Sequence, residues 1–304
     1  MDGNSRTLLI VNPIAGHGRG KKIFARIEPR VREVFPELDV RISEFPGHAF
    51  QLGREAARER YSRVLCLGGD GTPFEVINGL YIHGRPSFVP EMGLIPAGTG
   101  NSFLRDFGIE TPEEAVRRFA AGRRLKVDLI EFEFQLGGKT ERRYSLNIIG
   151  AGLITDILKL TNDWLKIFGK LGYSLAVLIR LARGMDNTID IEAGGQTWSI
   201  QDSALVVSNS QFTGGRMKIA PHAATADGKA DLVVFRDVNR REILQIFKRV
   251  FSGSHASHPK VEITQAAEMA ITGRPPLRVM ADGEVLGESP LRIKVLPQEL
   301  TFLG

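Results

Sequence analysis

The 304-residue chain has a single cysteine, Cys66, set inside the apolar run Val64-Leu65-Cys66-Leu67. One thiol excludes an internal disulfide and a zinc site built on cysteines, and it suits a reducing compartment. No apolar run approaches the roughly 18 residues of a membrane span, and the N-terminus shows no signal-peptide h-region. These absences predict a cytoplasmic protein that crosses no bilayer. Two common phosphate-binding fingerprints are missing as well. No GxxxxGK[ST] occurs, and none of the glycine turns below reads GxGxxG, so neither a P-loop nor a dinucleotide fold is supported. What is present is ordinary for a globular chain, with 42% apolar and 25% charged residues. The balance of 40 basic against 35 acidic residues gives a formal charge of +5. The excess is scattered in short pairs such as Arg117-Arg118 and Arg240-Arg241. It reads either as a solvated surface or as attraction to phosphate groups or an anionic membrane face.

The first 130 residues alternate between short β-rich runs and helical spacing. Thr7–Val11 reads as a strand, and Lys21–Val34 carries Ile23, Phe24, Ile27, Val31 and Val34 at helix spacing. Val40–Ile42, Val64–Leu67 and Gly93–Ile95 read as strands, Ala49–Arg60 and Phe74–Leu80 as helices. Pro112–Ala121 reads as a helix with Thr111 at its N-cap and proline at N1. This alternation predicts an α/β domain with a parallel sheet covered on both faces. After Leu125 come runs such as LKVDLIEFEFQ, DSALVVSNS and ADLVVFRDV, separated by Asp-Gly and Gly-Glu turn signals. They predict a mostly antiparallel β-sandwich domain, with helices near 157–183 and 240–251. The expected domains are 1–125 and 126–295, with about 296–304 packing back onto the first.

Three strands of the first domain run into glycine-rich turns that lead toward helices: VNPIAGHGRGKK (11–22), LGGDGT (67–72) and IPAGTGNSF (95–103). Glycine lets backbone N–H groups approach a ligand closely, and a following helix N-terminus adds partial positive charge. The set suits a polyphosphate at the carboxyl edge of a parallel sheet. Each turn embeds polar residues: Asn12, Asp70, and Thr99 with Asn101. Asp70 is the informative one. A carboxylate facing a triphosphate is repelled unless a divalent cation bridges them or the acid takes a proton from the attacking hydroxyl. Both routes point to phosphoryl transfer.

The ordered motifs VNPIAG, GGDGT, IPAGTGN, DGKAD and ADGE resemble the diacylglycerol kinase catalytic domain and sphingosine kinase superfamily over essentially the whole chain. GGDGT alone is shared with NAD kinases and 6-phosphofructokinases; its company with NPxxG and PAGTGN makes it specific. The resemblance implies an ATP-dependent lipid kinase using Mg²⁺, with a nucleotide-binding first domain and a lipid-binding second. Asn12 and Gly16 would lie against the nucleotide, with Ser43 of SEFPGHA. Gly69, Asp70, Gly71, Thr72 and Thr99 would hold its phosphates. A structural Mg²⁺ would take Asp227 and the carbonyls of Ala224 and Lys229. Glu284 of ADGE matches the general base proposed for bacterial diacylglycerol kinases, whereas sphingosine kinases give that role to the acid of the GGDGT-like turn. Asp70 and Glu284 therefore both stand as catalytic candidates. Asp-Gly is also a common hairpin turn, which alone would account for Asp227 and Asp282. The implied partners are a membrane lipid and peripheral contact with a membrane, with no nucleic acid and with a homodimer left open.

Two departures bear on the substrate. The bacterial third motif reads GTxND, where this chain has GTGNS with Ser102 in place of the acid. A glycine-aromatic-Asp pattern near 150 is replaced by GAGLITD, which places Asp156 closer to the sphingosine and ceramide kinase branch. Asp156 reads either as a lipid head-group ligand or as a cap on the helix after it. That helix, 157–183, suits a core element or the wall of an acyl pocket. The alternatives to a lipid kinase are an NAD-kinase-like enzyme acting on a soluble nucleoside, and an inactive lipid- or nucleotide-binding regulator.

Overall fold

The computed structural model describes residues 6–152, 187–201, 204–236, 238 and 240–304. The chain forms two compact units, one of Met1–Leu129 with Pro297–Gly304 and the other of Ile130–Leu296.

In the first unit, strands and helices alternate: β1 (Thr7–Val11), α1 (Ala15–Val34), β2 (Leu38–Ile42), α2 (His48–Arg58), β3 (Arg63–Gly68), α3 (Gly71–Leu80), β4 (Glu91–Pro96) and α4 (Pro112–Ala121). β1 pairs in parallel with β2 and β3, and β3 with β4. All five residues of β1 are buried, and in β3 all but the first, as expected of strands covered on both faces. Burial also pushes the Cys66 thiol well above its ordinary pKa, so this cysteine is an inert core residue. Helices α2 and α3 meet through glycine. A Cβ on Gly53 would stand 2.3 Å from the Val76 carbonyl oxygen, and one on Gly79 would stand 2.0 Å from that of Phe50. The Thr111 hydroxyl caps α4 by accepting the Glu114 amide at 3.2 Å. α1 differs from its expected start. Gly16, His17 and Gly18 take left-handed φ values of 59°, 60° and 84°, so the first turn is a loop wound on itself before regular helix begins.

The second unit contains β5 (Arg124–Leu136, which enters it from the first unit), β6 (Lys139–Ser145), β7 (Ile148–Gly152), β8 (Thr188–Ala193), β9 (Gln196–Gln201), β10 (Ala204–Ser208), the short β11 (Phe212–Thr213) and β12 (Met217–Lys218), β13 (Ala230–Phe235), α5 (Arg240–Val250), β14 (Val261–Ala266), β15 (Glu268–Arg274), β16 (Arg278–Ala281) and β17 (Glu284–Leu303). The chain returns to the first unit along β17, whose Phe302 pairs in parallel with Met92 of β4. Within the second unit the pairing is antiparallel. One path runs β14-β13-β10-β7-β16-β17, and a branch runs β9-β8-β15-β17. Ile148, Val206, Val233, Phe235, Ile246 and Met280 pack in its core. The expected helix near 240–251 is α5; the one expected over 157–183 lies outside the described residues.

Candidate active site

The three glycine turns converge at the carboxyl edge of the first unit's sheet. Asn12 leaves β1 with its amide donating to Leu67 O at 2.8 Å. Its side-chain amide donates to the Thr72 hydroxyl at 3.2 Å, and its Oδ1 accepts the Ile14 amide at 3.2 Å. The first turn is thus tied to the second. Gly16 lies against the third turn, where a Cβ would stand 2.3 Å from Ala97 O. The second and third turns touch backbone to backbone: a Cβ on Gly98 would come within 2.5 Å of Gly69 Cα. Asn101, at φ +52°, folds the third turn by accepting the Gly98 amide and donating to the Gly98 carbonyl, both at 3.0 Å. Glycine here is a packing requirement, because any side chain would wedge the turns apart.

Asp70 joins two of these turns. It stands at the N-cap of α3 without capping its own helix. Its Oδ1 accepts the Ser102 amide at 2.8 Å, and its Oδ2 accepts the Ser102 hydroxyl at 3.3 Å. Burial raises the carboxyl above its ordinary pKa, and the Ser102 donors offset part of that rise. Serine at 102 has a clear physical reason: an acid there would set a second carboxylate against Asp70, whereas serine supplies two donors. This clasp was not legible in the motif, where Ser102 reads only as a missing acid.

Of the other expected nucleotide residues, Gly71 and Thr72 open α3, and Thr99 is exposed at the tip of the third turn. Ser43 sits just past β2, its amide donating to Val11 O at 2.8 Å. The edge therefore gathers Asn12, Gly16, Gly69, Asp70, Gly71, Thr72 and Thr99, with Ser43 beside the first turn. Sequence reasoning also passed over Asp128, a fully buried carboxylate in β5 whose Oδ1 accepts the Gln298 amide at 2.6 Å. Its only signal was an acid inside the apolar run VDLI.

The remaining candidates belong to the second unit. Glu284 is exposed at the start of β17, opposite Ala281 across the Asp282-Gly283 turn. Asp227 is exposed, with Oδ1 accepting the Lys229 amide at 3.0 Å in a local turn, and Ala224 and Lys229 are exposed beside it. Asp231, four residues on, is buried. Its Oδ2 accepts the Gln265 side chain at 3.2 Å, while its Oδ1 meets no donor among the described residues. Burial, reinforced by the charge of Asp227, raises the Asp231 carboxyl above its ordinary range. Among the described residues no three His, Cys, Asp or Glu side chains gather as a metal cluster. Asp156 lies outside the described residues.

Two protein-family models match the chain: the diacylglycerol kinase catalytic domain over residues 6–132, and the YegS C-terminal NAD kinase beta sandwich-like domain over 147–304. The diacylglycerol kinase of Staphylococcus carnosus (strain TM300) is 28% identical over 297 residues, 97% of this chain and 94% of the relative. A crystal structure of a diacylglycerol kinase from Bacillus anthracis str. Sterne superposes with a TM-score of 0.74 at 23% identity, covering 100% of this chain and 98% of that one. Yeast NADH kinase complexed with NADH gives a TM-score of 0.55 at 10% identity, covering 99% and 83%. The last two are likenesses of fold alone.

Proposed function

We propose, for a chain that belongs to the family of diacylglycerol kinase catalytic domains, ATP-dependent phosphorylation of a membrane lipid on a hydroxyl group. The observation that carries this reading is the junction of three glycine turns with an acid at its centre. Backbone amides and the start of α3 suit a polyphosphate there, and Asp70 is held in place by Ser102. Diacylglycerol is the leading acceptor, because a relative matched over 94% of its length carries that name; a sphingoid base is the second.

The lipid hydroxyl oxygen bonds to the γ-phosphorus as the bond to the bridging oxygen breaks. ADP leaves, and the hydroxyl proton passes to a carboxylate. With both oxygens engaged by Ser102, Asp70 suits a fixed carboxylate facing a cation, and Glu284 is the proton acceptor. The donor sets fit Mg²⁺ chemically, since they offer only hard oxygens. Asp70 would serve at the phosphates, and Asp227 with the carbonyls of Ala224 and Lys229 at the loop. The unpartnered Asp231 Oδ1 leaves negative charge behind that loop which a cation would offset. When bound, Mg²⁺ supplies neutralisation of phosphate charge. No helix among the described residues is long and apolar enough to cross a membrane, so the lipid would be met at a bilayer surface.

The test is transfer of radiolabel from γ-labelled ATP with Mg²⁺ to vesicles carrying diacylglycerol, sphingoid base, ceramide or phosphatidylglycerol, with NAD as a soluble acceptor. Label on a lipid supports the reading. Label on NAD alone would move the chain to the nucleoside-phosphorylating alternative, and no label anywhere would leave a binding regulator.

A further inference from the structure

The turn that presents Glu284 is anchored by the side chain beside it. Asp282 and Gly283 join β16 to β17 at φ +47° and +95°, the pair of left-handed residues that a tight two-residue hairpin needs. Asp-Gly satisfies that geometry unaided, yet the Asp282 carboxylate is engaged elsewhere. Its Oδ1 accepts the Ile148 amide at 3.1 Å and its Oδ2 accepts the Ser145 hydroxyl at 2.9 Å. The Asp282 amide donates in return to Ile148 O at 3.1 Å. Three hydrogen bonds therefore bind the turn to the bend between β6 and β7.

That bend is held from behind by a buried polar network. Ser145, Asn147, Asn209 and Ser210 are all buried. Ser145 Oγ accepts the Asn147 amide at 3.2 Å. The Asn209 amide donates to Asn147 O at 2.8 Å, and its side-chain amide donates to Leu146 O at 3.0 Å. The Ser210 hydroxyl donates to Asn147 Oδ1. Moving the bend would break several bonds in surroundings where unpaired groups are costly, so the network holds a single geometry. Glu284 is exposed and directly follows this turn, so the turn sets where its backbone lies.

We propose that Asp282 is the positioning residue for Glu284, clamping the turn to the Ser145–Ile148 bend. This rests on the reading of Glu284 as proton acceptor. A base displaced by about 1 Å can lose about 10²-fold in rate, so the clamp is worth a large part of kcat. Aspartate serves better here than glycine because it combines tolerance of left-handed φ with a carboxylate of the right reach.

The experiment compares Asp282→Gly, Asp282→Asn, Glu284→Gln and the Asp282→Gly/Glu284→Gln double variant in the vesicle assay, with melting temperatures. Asp282→Gly keeps the backbone conformation and removes the clamp. It is expected to lower kcat at least about 10-fold while the KM for ATP stays within about twofold. Asp282→Asn retains an acceptor for the Ile148 amide and is expected to recover most of kcat. Adding Glu284→Gln to Asp282→Gly should cost much less than it does alone, because both act on one group. Wild-type kcat in Asp282→Gly, with Glu284→Gln inactive, would overturn the clamp and leave the base assignment standing. Asp282→Asn as inactive as Asp282→Gly would also overturn it, making Asp282 a proton carrier. Wild-type kcat in Glu284→Gln would instead overturn the base assignment beneath it. If Asp282→Gly does not fold, Ser145→Ala removes the hydroxyl that bonds both Asp282 and the Asn147 amide while leaving the Asp282–Ile148 bonds, and is expected to lower kcat with the KM for ATP unchanged; an unchanged kcat would overturn the clamp.

Discussion

Asp70 shows how one residue can be kept at a cost to stability. Its carboxyl sits above its ordinary pKa in the folded chain because burial outweighs the donors of Ser102. The folded state therefore holds the proton to higher pH than the unfolded chain does. Stability from this group is present below the ordinary carboxylate pKa of about 4 and is lost as pH rises through the raised value. Asp70→Asn abolishes that dependence while its side-chain carbonyl still accepts the Ser102 amide. The variant should melt no lower than wild type at neutral pH, and its advantage should shrink as pH falls toward 4, read by thermal melts across pH. Activity should move the other way, with kcat falling about 10²-fold or more on loss of the charge. A lowered melting temperature with activity retained would make Asp70 a structural clasp and nothing else.

At the scale of elements, the glycine turns are the weak point of the fold and the strength of the site. Gly98 has no unusual backbone need, but a Cβ there would meet Gly69 Cα at 2.5 Å. Gly18 is the converse: φ is +84°, and a Cβ would meet nothing within 4 Å. Gly98→Ala should therefore separate the second and third turns and raise the KM for ATP at least about tenfold, a loss of about 1.4 kcal/mol in binding. Gly18→Ala should cost only the left-handed strain of about 1–2 kcal/mol in stability and leave the KM nearly unchanged. Nucleotide titration and melting of both variants check this; equal effects on KM would mean that turn contact does not shape the site. The elements themselves were largely legible, because their signals are local: β1 occupies the residues expected of it, and Thr111 caps α4. What was not legible depends on distant partners. The Asp70–Ser102 clasp spans 32 positions and the Asp128–Gln298 bond spans 170. No local pattern encodes either. The left-handed run through Gly16, His17 and Gly18 lies inside the glycine-rich turn read from the sequence, but residue types alone do not show that all three take positive φ in succession.

At the scale of the whole molecule, the chain passes between its two units twice, and the second passage is fastened within the first unit. Asp128 accepts the Gln298 amide, Lys126 Nζ donates to the Thr301 hydroxyl at 3.0 Å, and buried Glu299 pairs with Arg85 at 2.8 Å. The returning segment is thus a structural part of the first unit. The proposed lipid acceptor resides in a bilayer, and no helix among the described residues is long and apolar enough to cross one. The formal charge of +5 offers a means of encounter with anionic lipid surfaces. Attraction of this kind acts over about 10 Å at 0.1 M salt and is shorter at higher salt. On diacylglycerol in anionic vesicles, the apparent KM should therefore rise several-fold as salt is raised from about 0.05 to 0.3 M, with little change in kcat. A water-soluble short-chain diacylglycerol needs no surface, and its KM should hardly respond to the same salt. Neutral vesicles should resemble the soluble substrate. If all three substrates respond to salt alike, the basic excess acts on nucleotide binding and not on the membrane encounter.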